Sequence, residues 1–365
     1  MSIVEVAKIA GLSHSTVSRV INNREGVAPE TAKAVHLAMK QLGYTPPVKR
    51  RGRRPRDSHT PTTGTMALLM VGTDAMFARA PVTAAVFHSL EQSLTDHGYN
   101  LIVSQVGADC RIPPSVAEGH IDGLILHGYA PPAELRRQLQ VHPSVWVLSQ
   151  RSIQGYWGDR VAPDNEAIGR TAAEYLVSRG HRSVAYLHIS ATHIGFRARA
   201  ECFVETAKEL GAEAHLLTDD SLIQSPSWRE EYAPEATEKI VRRLMDLPDP
   251  PTGVFVPRDR LTVRVYRALR SMGIEPGRDL EIATCDNEPI LEALDPRPTT
   301  IDIQAKLIGK KAVEQLIWRC KNRDEPTRAL ISVHPELIVS SDLGHSHPAP
   351  TGSPRSGPSR DSFVS

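Results

Sequence analysis

Apolar residues recur at helical spacing over the first ten positions, at Ile3, Val6, Ala7 and Ile9 to Ala10, and the pattern stops at Gly11. Ser13 then offers a hydroxyl cap for a second helix from His14 to Ile21. Two short helices around a glycine-containing turn form a helix-turn-helix. Pro29 at a helix start, Glu30 in its first turn, apolar Ala32, Val35, Ala38, Met39 and Leu42, and Gly43 as a stop predict a third helix. That helix supplies the lid a two-helix unit needs for a core. From Thr45 to Thr65 the chain is rich in Pro, Arg and small polar residues without helical periodicity, which reads as a linker.

Beyond the linker, short apolar runs alternate with amphipathic stretches. Strands are predicted at 66–72, 99–106, 121–128, 144–150, 183–189, 253–257 and 280–286, and helices at 82–97, 165–179, 195–210, 261–272 and 307–321. Continuous apolar strands separated by helices mean parallel sheets covered on both faces. The units outnumber what one sheet usually holds, so two sheets are expected. The fold class is an all-α helix-turn-helix head joined to an α/β body of two doubly wound parallel-sheet lobes. Its expected boundaries are 1–45 for the head, 46–65 for the linker, 66–343 for the body and 344–365 for a tail too poor in apolar residues to fold.

Charge sharpens this division. Residues 1–56 hold 11 basic and 3 acidic side chains, net +8, whereas the other 309 residues hold 32 basic and 39 acidic, net −7. A basic head suits a polyanion, because each Lys or Arg that neutralises a phosphate releases counterions. In a helix-turn-helix the second helix enters the major groove by its N-terminal end, which places His14, Ser15 and Arg19 within reach of base edges.

The remaining composition narrows the function by exclusion. No apolar run is long enough to cross a bilayer and no signal-peptide pattern opens the chain, so a cytoplasmic, nucleoid-associated protein with no membrane partner is expected. Cys110, Cys202, Cys285 and Cys320 lie far apart without a CxxC pair, and reduced thiols are expected, with no metal site and no cofactor. The motifs GxSxG, HExxH, GxGxxG and the P-loop are all missing, which argues against an enzyme.

Several motifs in fixed order carry a resemblance: VAKIAGLSHSTVSRVIN, VAPETAKAVHLAMKQLGYTP, IDGLIL, DNEAIGRTAAEYLVSRGHRSVAYL, GVFVPRD and PRPTTIDIQAKLIGKKAVEQL. Together they resemble the LacI/GalR (lac-repressor) family of bacterial transcriptional regulators over nearly the whole chain. The resemblance implies a periplasmic-binding-protein-like body with a small-molecule effector, a sugar or related metabolite, between its lobes. It also implies a homodimer on a pseudo-palindromic double-stranded DNA operator, most often as a repressor. His14, Ser15 and Arg19 then fall at base-reading positions, and Ser13, Thr16, Ser18 and Asn22 at phosphate-contacting ones. Arg199 falls at the effector clamp position and Asp259 at an acceptor position; the two could equally pair with each other as structure. Asp74, Gln150 and Asp286 are further effector-binding candidates at strand ends.

The chain departs from the family pattern in the effector body and in the linker. Cys202 replaces a common Gly, Thr284 and Cys285 replace Gly and Phe, and Gln150 stands where Asp is common. The largest departure is PPVKRRGRRPR in place of the hinge helix and its leucine wedge, because Pro46, Pro47 and Pro55 disfavour helix. Arg50, Arg51, Arg53 and Arg54 suit either an extended arm in a narrow A·T minor groove or a solvated basic tether. The expected function is an effector-controlled, sequence-specific repressor; the alternative is a constitutive or architectural DNA binder with a vestigial effector body.

Overall fold

A computed structural model describes residues 3–21, 27–44, 63–72, 81–107, 109–148, 156–188, 194–218 and 234–341. The chain divides into two compact units, 1–56 and 57–365.

The head consists of α1 (Ile3–Ala10), α2 (His14–Ile21) and α3 (Pro29–Leu42). The turn between α1 and α2 uses Gly11 at φ 65°, a left-handed conformation that Gly adopts without steric cost. Ser13 caps α2 through its Oγ, which accepts from Thr16 N–H at 3.2 Å. Val17 and Val20 of α2 bury against Val6 and Ala7 of α1 and Val35 and Ala38 of α3, forming one small core. α3 ends at Gly43, where Tyr44 N–H returns to Met39 O at 2.9 Å.

The body holds two six-stranded sheets. Lobe 1 contains β1 (Thr65–Val71), α4 (Pro81–Asp96), β2 (Asn100–Val106), α5 (Pro114–Ala117), β3 (Gly123–Gly128), α6 (Ala133–Leu139), β4 (Ser144–Val147) and β5 (Asp159–Pro163). The chain then builds lobe 2 from α7 (Asn165–Ser178), β6 (Ser183–His188), α8 (Ile194–Glu209), β7 (Glu213–Thr218), α9 (Pro234–Met245), β8 (Gly253–Val256), α10 (Asp259–Ser271), β9 (Glu281–Cys285) and β10 (Thr299–Asp302). It returns to lobe 1 for α11 (Ala305–Lys321) and β11 (Leu330–Val333), and ends in lobe 2 with β12 (Glu336–Ile338). The strand orders are β11-β5-β4-β3-β1-β2 and β12-β10-β9-β8-β6-β7.

All pairings are parallel except β10 with β12, so the expectation of purely parallel sheets is corrected at one edge. There β12 enters lobe 2 directly from the carboxyl end of β11 in lobe 1, so it runs against its neighbour β10. Alternate residues face opposite layers: Met66 and Leu68 of β1 join the core with Val86 and Leu90 of α4 and Leu316 of α11, whereas Ala67 and Leu69 face Leu135 and Leu139 of α6. In lobe 2, Tyr186 packs with Phe203 of α8, and Ala185 and Leu187 face Ile240 and Leu269.

Each lobe anchors a buried carboxylate at the amino end of a strand, Asp159 in lobe 1 and Glu281 in lobe 2. Asp159 at the start of β5 receives Arg319 Nη2 at 2.6 Å and Nε at 2.8 Å, and Glu281 at the start of β9 is held by Arg179, His181 and Tyr175. These partners hold Glu281 at a pKa of about 2 despite its burial, which alone would raise it.

The chain passes between lobes three times, from β5 into α7, from β10 into α11, and from β11 into β12. The first two crossings leave the carboxyl end of a parallel strand, and so does the third, because β11 runs parallel to β5. The carboxyl edges of the two sheets therefore converge on the crossings, as open α/β sheets that bind ligands require.

Candidate nucleic-acid face and effector site

The head presents a divided surface on α2. Val17 and Val20 point into the core, while His14, Ser15 and Arg19 are exposed and Thr16 and Ser18 half-exposed. Residues 15, 18 and 19 share one helical face. Ser13 Oγ also lies 2.8 Å from both Ser15 Oγ and Thr16 Oγ1, so the cap clusters three hydroxyls at the helix start. Free backbone N–H groups at a helix N-terminus attract phosphate, and these hydroxyls sit beside them. Asn22, Arg50, Arg51, Arg53 and Arg54 lie outside the described residues, as does the linker motif.

The carboxyl edge of lobe 2 gathers three of the sequence-derived effector residues. Asp259 opens α10 fully buried: Thr284 Oγ1 donates to its Oδ1 at 2.8 Å and Glu288 N–H to its Oδ2 at 2.6 Å. Burial first, and the negative charge of Asp286 second, push the Asp259 carboxyl well above the usual range. Asp286 follows β9 at φ 115°, its Oδ2 3.8 Å from Arg258 Nε. Burial pushes its pKa up to about 6 against the opposing pull of Arg258 and Arg199.

Arg199 is held inside the lobe. Its Nε donates to Asn165 Oδ1 at 2.8 Å, and its Nη1 to Pro257 O at 2.9 Å and Cys285 Sγ at 3.5 Å. The backbone beneath it is set by Gly169 of α7, where a Cβ would lie 2.2 Å from Arg199 O. Only glycine permits that approach of α7 to α8. Arg199 and Asp259 thus do not pair with each other, which answers the question left open by their residue types.

Four participants are not distinguished by residue pattern alone: Asn165, Phe196, Arg258 and Glu288. The Phe196 ring lies 4.3 Å from the His188 ring, with the Arg199 and Arg258 guanidinium carbons 5.1 and 5.5 Å from its centroid. Asn165 stands inside the DNEAIGR motif, so that motif held a signal; Phe196, an aromatic in an ordinary amphipathic helix, held none. Asp74 and Gln150 lie outside the described residues. None of the four cysteines forms a disulfide, Cys285 and Cys320 are buried, and among the described residues no cluster of His, Cys, Asp and Glu has the form of a metal site.

Residues 2–47 match the bacterial regulatory proteins of the lacI family, and residues 161–340 match the periplasmic-binding-protein-like domain. The chain belongs to the LacI family. It is 27% identical over 349 residues to the HTH-type transcriptional repressor PurR of Vibrio atlanticus, covering 94% of this chain and 98% of that one. The PurR repressor of Vibrio cholerae is 28% identical over 92% of this chain and 96% of its own length. Among solved structures, the transcriptional regulator CelR in complex with cellobiose shares the fold with a TM-score of 0.61 at 22% identity, covering 94% of this chain and all of that one. The lac repressor dimer bound to operator and the anti-inducer ONPF gives 0.64 at 19% identity, covering 94% and 99%. No helix among the described residues of this LacI-family chain is long and apolar enough to cross a membrane.

Proposed function

We propose that this LacI-family chain is a sequence-specific transcriptional repressor that acts as a homodimer on a pseudo-palindromic operator. The observation that carries the reading is the Ser13-capped α2, whose exposed His14, Ser15 and Arg19 stand opposite a core-facing Val17 and Val20. Two-fold symmetry of two such heads requires two half-sites in mirrored orientation. The body is a regulatory module and not an enzyme: its carboxyl-edge groups bind a small metabolite and perform no chemistry on it.

Control would come from the lobe-2 edge, with Asp286 as the acceptor for ligand hydroxyl or amine groups and Arg199 and Asp259 shaping the floor beneath it. A ligand moves an equilibrium only through contacts that differ between two states, and a cleft joined by three crossings supplies such a pair of states. The internal bonding of Arg199 and Asp259 favours a second reading, a DNA binder whose body no longer responds to ligand. Footprinting of the full chain on the DNA upstream of its own gene tests both. A two-fold-symmetric footprint that one member of a sugar and nucleobase panel relieves or strengthens supports the first; a footprint indifferent to every member supports the second. Protection without symmetry would overturn the dimeric reading.

A further inference from the structure

At the amino edge of lobe 1, on the side away from the converging carboxyl ends, a cavity of about 340 Å³ opens between the start of β4 and the end of α11. Its volume falls in the range of small-molecule sites. Ser144 and Trp157 line it and are both buried; the Trp157 indole N–H is committed to Ser144 Oγ at 3.2 Å, which fixes the ring as an apolar wall.

The charges around this cavity do not cancel. Arg319, also in the lining, is neutralised by its two-point contact with Asp159. Arg323 and Arg328 are exposed on the rim and form no ion pair among the described residues; Arg323 reaches only Asp122 O, at 3.4 Å. Glu325 is the one carboxylate in the lining, and its Oε1 already accepts from Thr327 N–H at 3.0 Å. Burial first, and the Arg323 charge next, lower the pKa of rim residue His142, so its imidazole adds no positive charge, and Arg323 and Arg328 outweigh the single Glu325 carboxylate.

We propose that this cavity is a second ligand site, separate from the interlobe cleft, for a small molecule that combines a phosphate monoester with a flat apolar part. Two guanidinium groups in one lining supply the charge and donors that a phosphate monoester needs, and the indole wall offers a surface for a flat group beside it. A concave floor formed by Ser144 and Trp157 suits a compact ligand better than a rod-like polyanion.

The site also connects to the point where the linker joins the body. Asp122, whose carbonyl receives Arg323, accepts Thr63 N–H at 3.0 Å and Gly64 N–H at 2.7 Å through its carboxylate. Thr63 and Gly64 are where the chain coming from the head enters lobe 1. A ligand that recruits Arg323 therefore acts one residue away from the anchor of the linker.

Phenyl phosphate is the probe, titrated into the full chain by calorimetry, with phenol as the neutral control. Saturable binding of phenyl phosphate, no binding of phenol, and about a tenfold or greater loss of affinity in the Arg323→Gln, Arg328→Gln double variant would support the site. Arg328→Glu alone provides a charge reversal at an exposed position, and the same direction of loss is expected. Absence of binding at millimolar probe overturns the proposal. Equal binding by wild type and both variants overturns it too, because the probe then sits elsewhere. A duplex of random sequence separates the remaining source of phosphate: variants that weaken duplex binding but leave phenyl phosphate binding unchanged would assign the arginines to DNA and overturn the pocket.

Discussion

Arg199 Nε donates to Asn165 Oδ1 over 2.8 Å, tying the second turn of α8 to the first residue of α7. The same guanidinium reaches Pro257 O after β8 and Cys285 Sγ at the end of β9, so one side chain joins four elements at the carboxyl edge of lobe 2. Arg199→Ala is therefore expected to remove structure as well as ligand response, with a loss of about 2–3 kcal/mol of stability from hydrogen bonds to a charged group. Urea unfolding measures this directly. An unchanged midpoint together with an abolished response would assign Arg199 to the ligand alone.

Asp286 has its pKa raised to about 6, chiefly by burial. A carboxyl raised in the folded state binds protons that the unfolded chain releases, so its contribution to stability is full below the ordinary aspartate pKa and disappears as pH rises through about 6. Asp286→Asn should accordingly raise the melting temperature at pH 7, and the gain should shrink towards pH 5. A gain that is absent at pH 7 would mean that the Arg258 interaction outweighs desolvation. Glu281 works in the opposite sense: with a folded value of about 2, its contribution is present above the ordinary glutamate pKa and fades as pH falls towards 2. The two windows separate on a pH titration of Tm.

Arg19 projects from the exposed face of α2, in its last turn. As a two-pronged donor it suits the O6 and N7 of guanine, so Arg19→Ala should cost roughly 1–3 kcal/mol at one base-pair position and leave nonspecific binding largely intact. Competition binding with single-base operator variants reads the difference. Uniform weakening on operator and random DNA would make Arg19 a phosphate contact instead.

The stretch from Lys49 to Arg56 lies outside the described residues, and its proposed role as an extended minor-groove arm rests on its residues. Replacing Arg51, Arg53 and Arg54 with Ala should weaken binding most on operators with A·T-rich centres or flanks and lower the salt slope by about 0.9 for each phosphate no longer neutralised. Salt titrations on A·T-rich and G·C-rich operators compare the two. A weakening that ignores base composition would leave the stretch a nonspecific tether.

The helix-turn-helix was legible because its signals are local. Gly11, Ser13, Pro29 and Gly43 each act within one turn of chain, and the structure places the ends of α2 and α3 beside them. The central parallel strands were legible for a related reason: a strand covered on both faces is apolar along most of its length, as β1 and β3 are apart from Thr65 and His127. Edge and crossing strands carry no such mark. β7 and β11 are partly exposed and β5 begins with a charged pair, so their pairing depends on neighbours distant in sequence.

The effector site divides along the same line. The family resemblance brought Arg199, Asp259 and Asp286 into one candidate set, in keeping with ligand sites at the carboxyl edge of open parallel sheets. What each group does there was decided by tertiary structure. Asp259 is occupied by Thr284 and the Glu288 amide, and Arg199 by Asn165 and Pro257, contacts that span 25 to 58 residues of chain. Sequence specifies which charges exist and which local turns form; only packing brings distant donors to a carboxylate, and in a buried setting that arrival determines whether the group is a structural anchor or a free hand for a ligand.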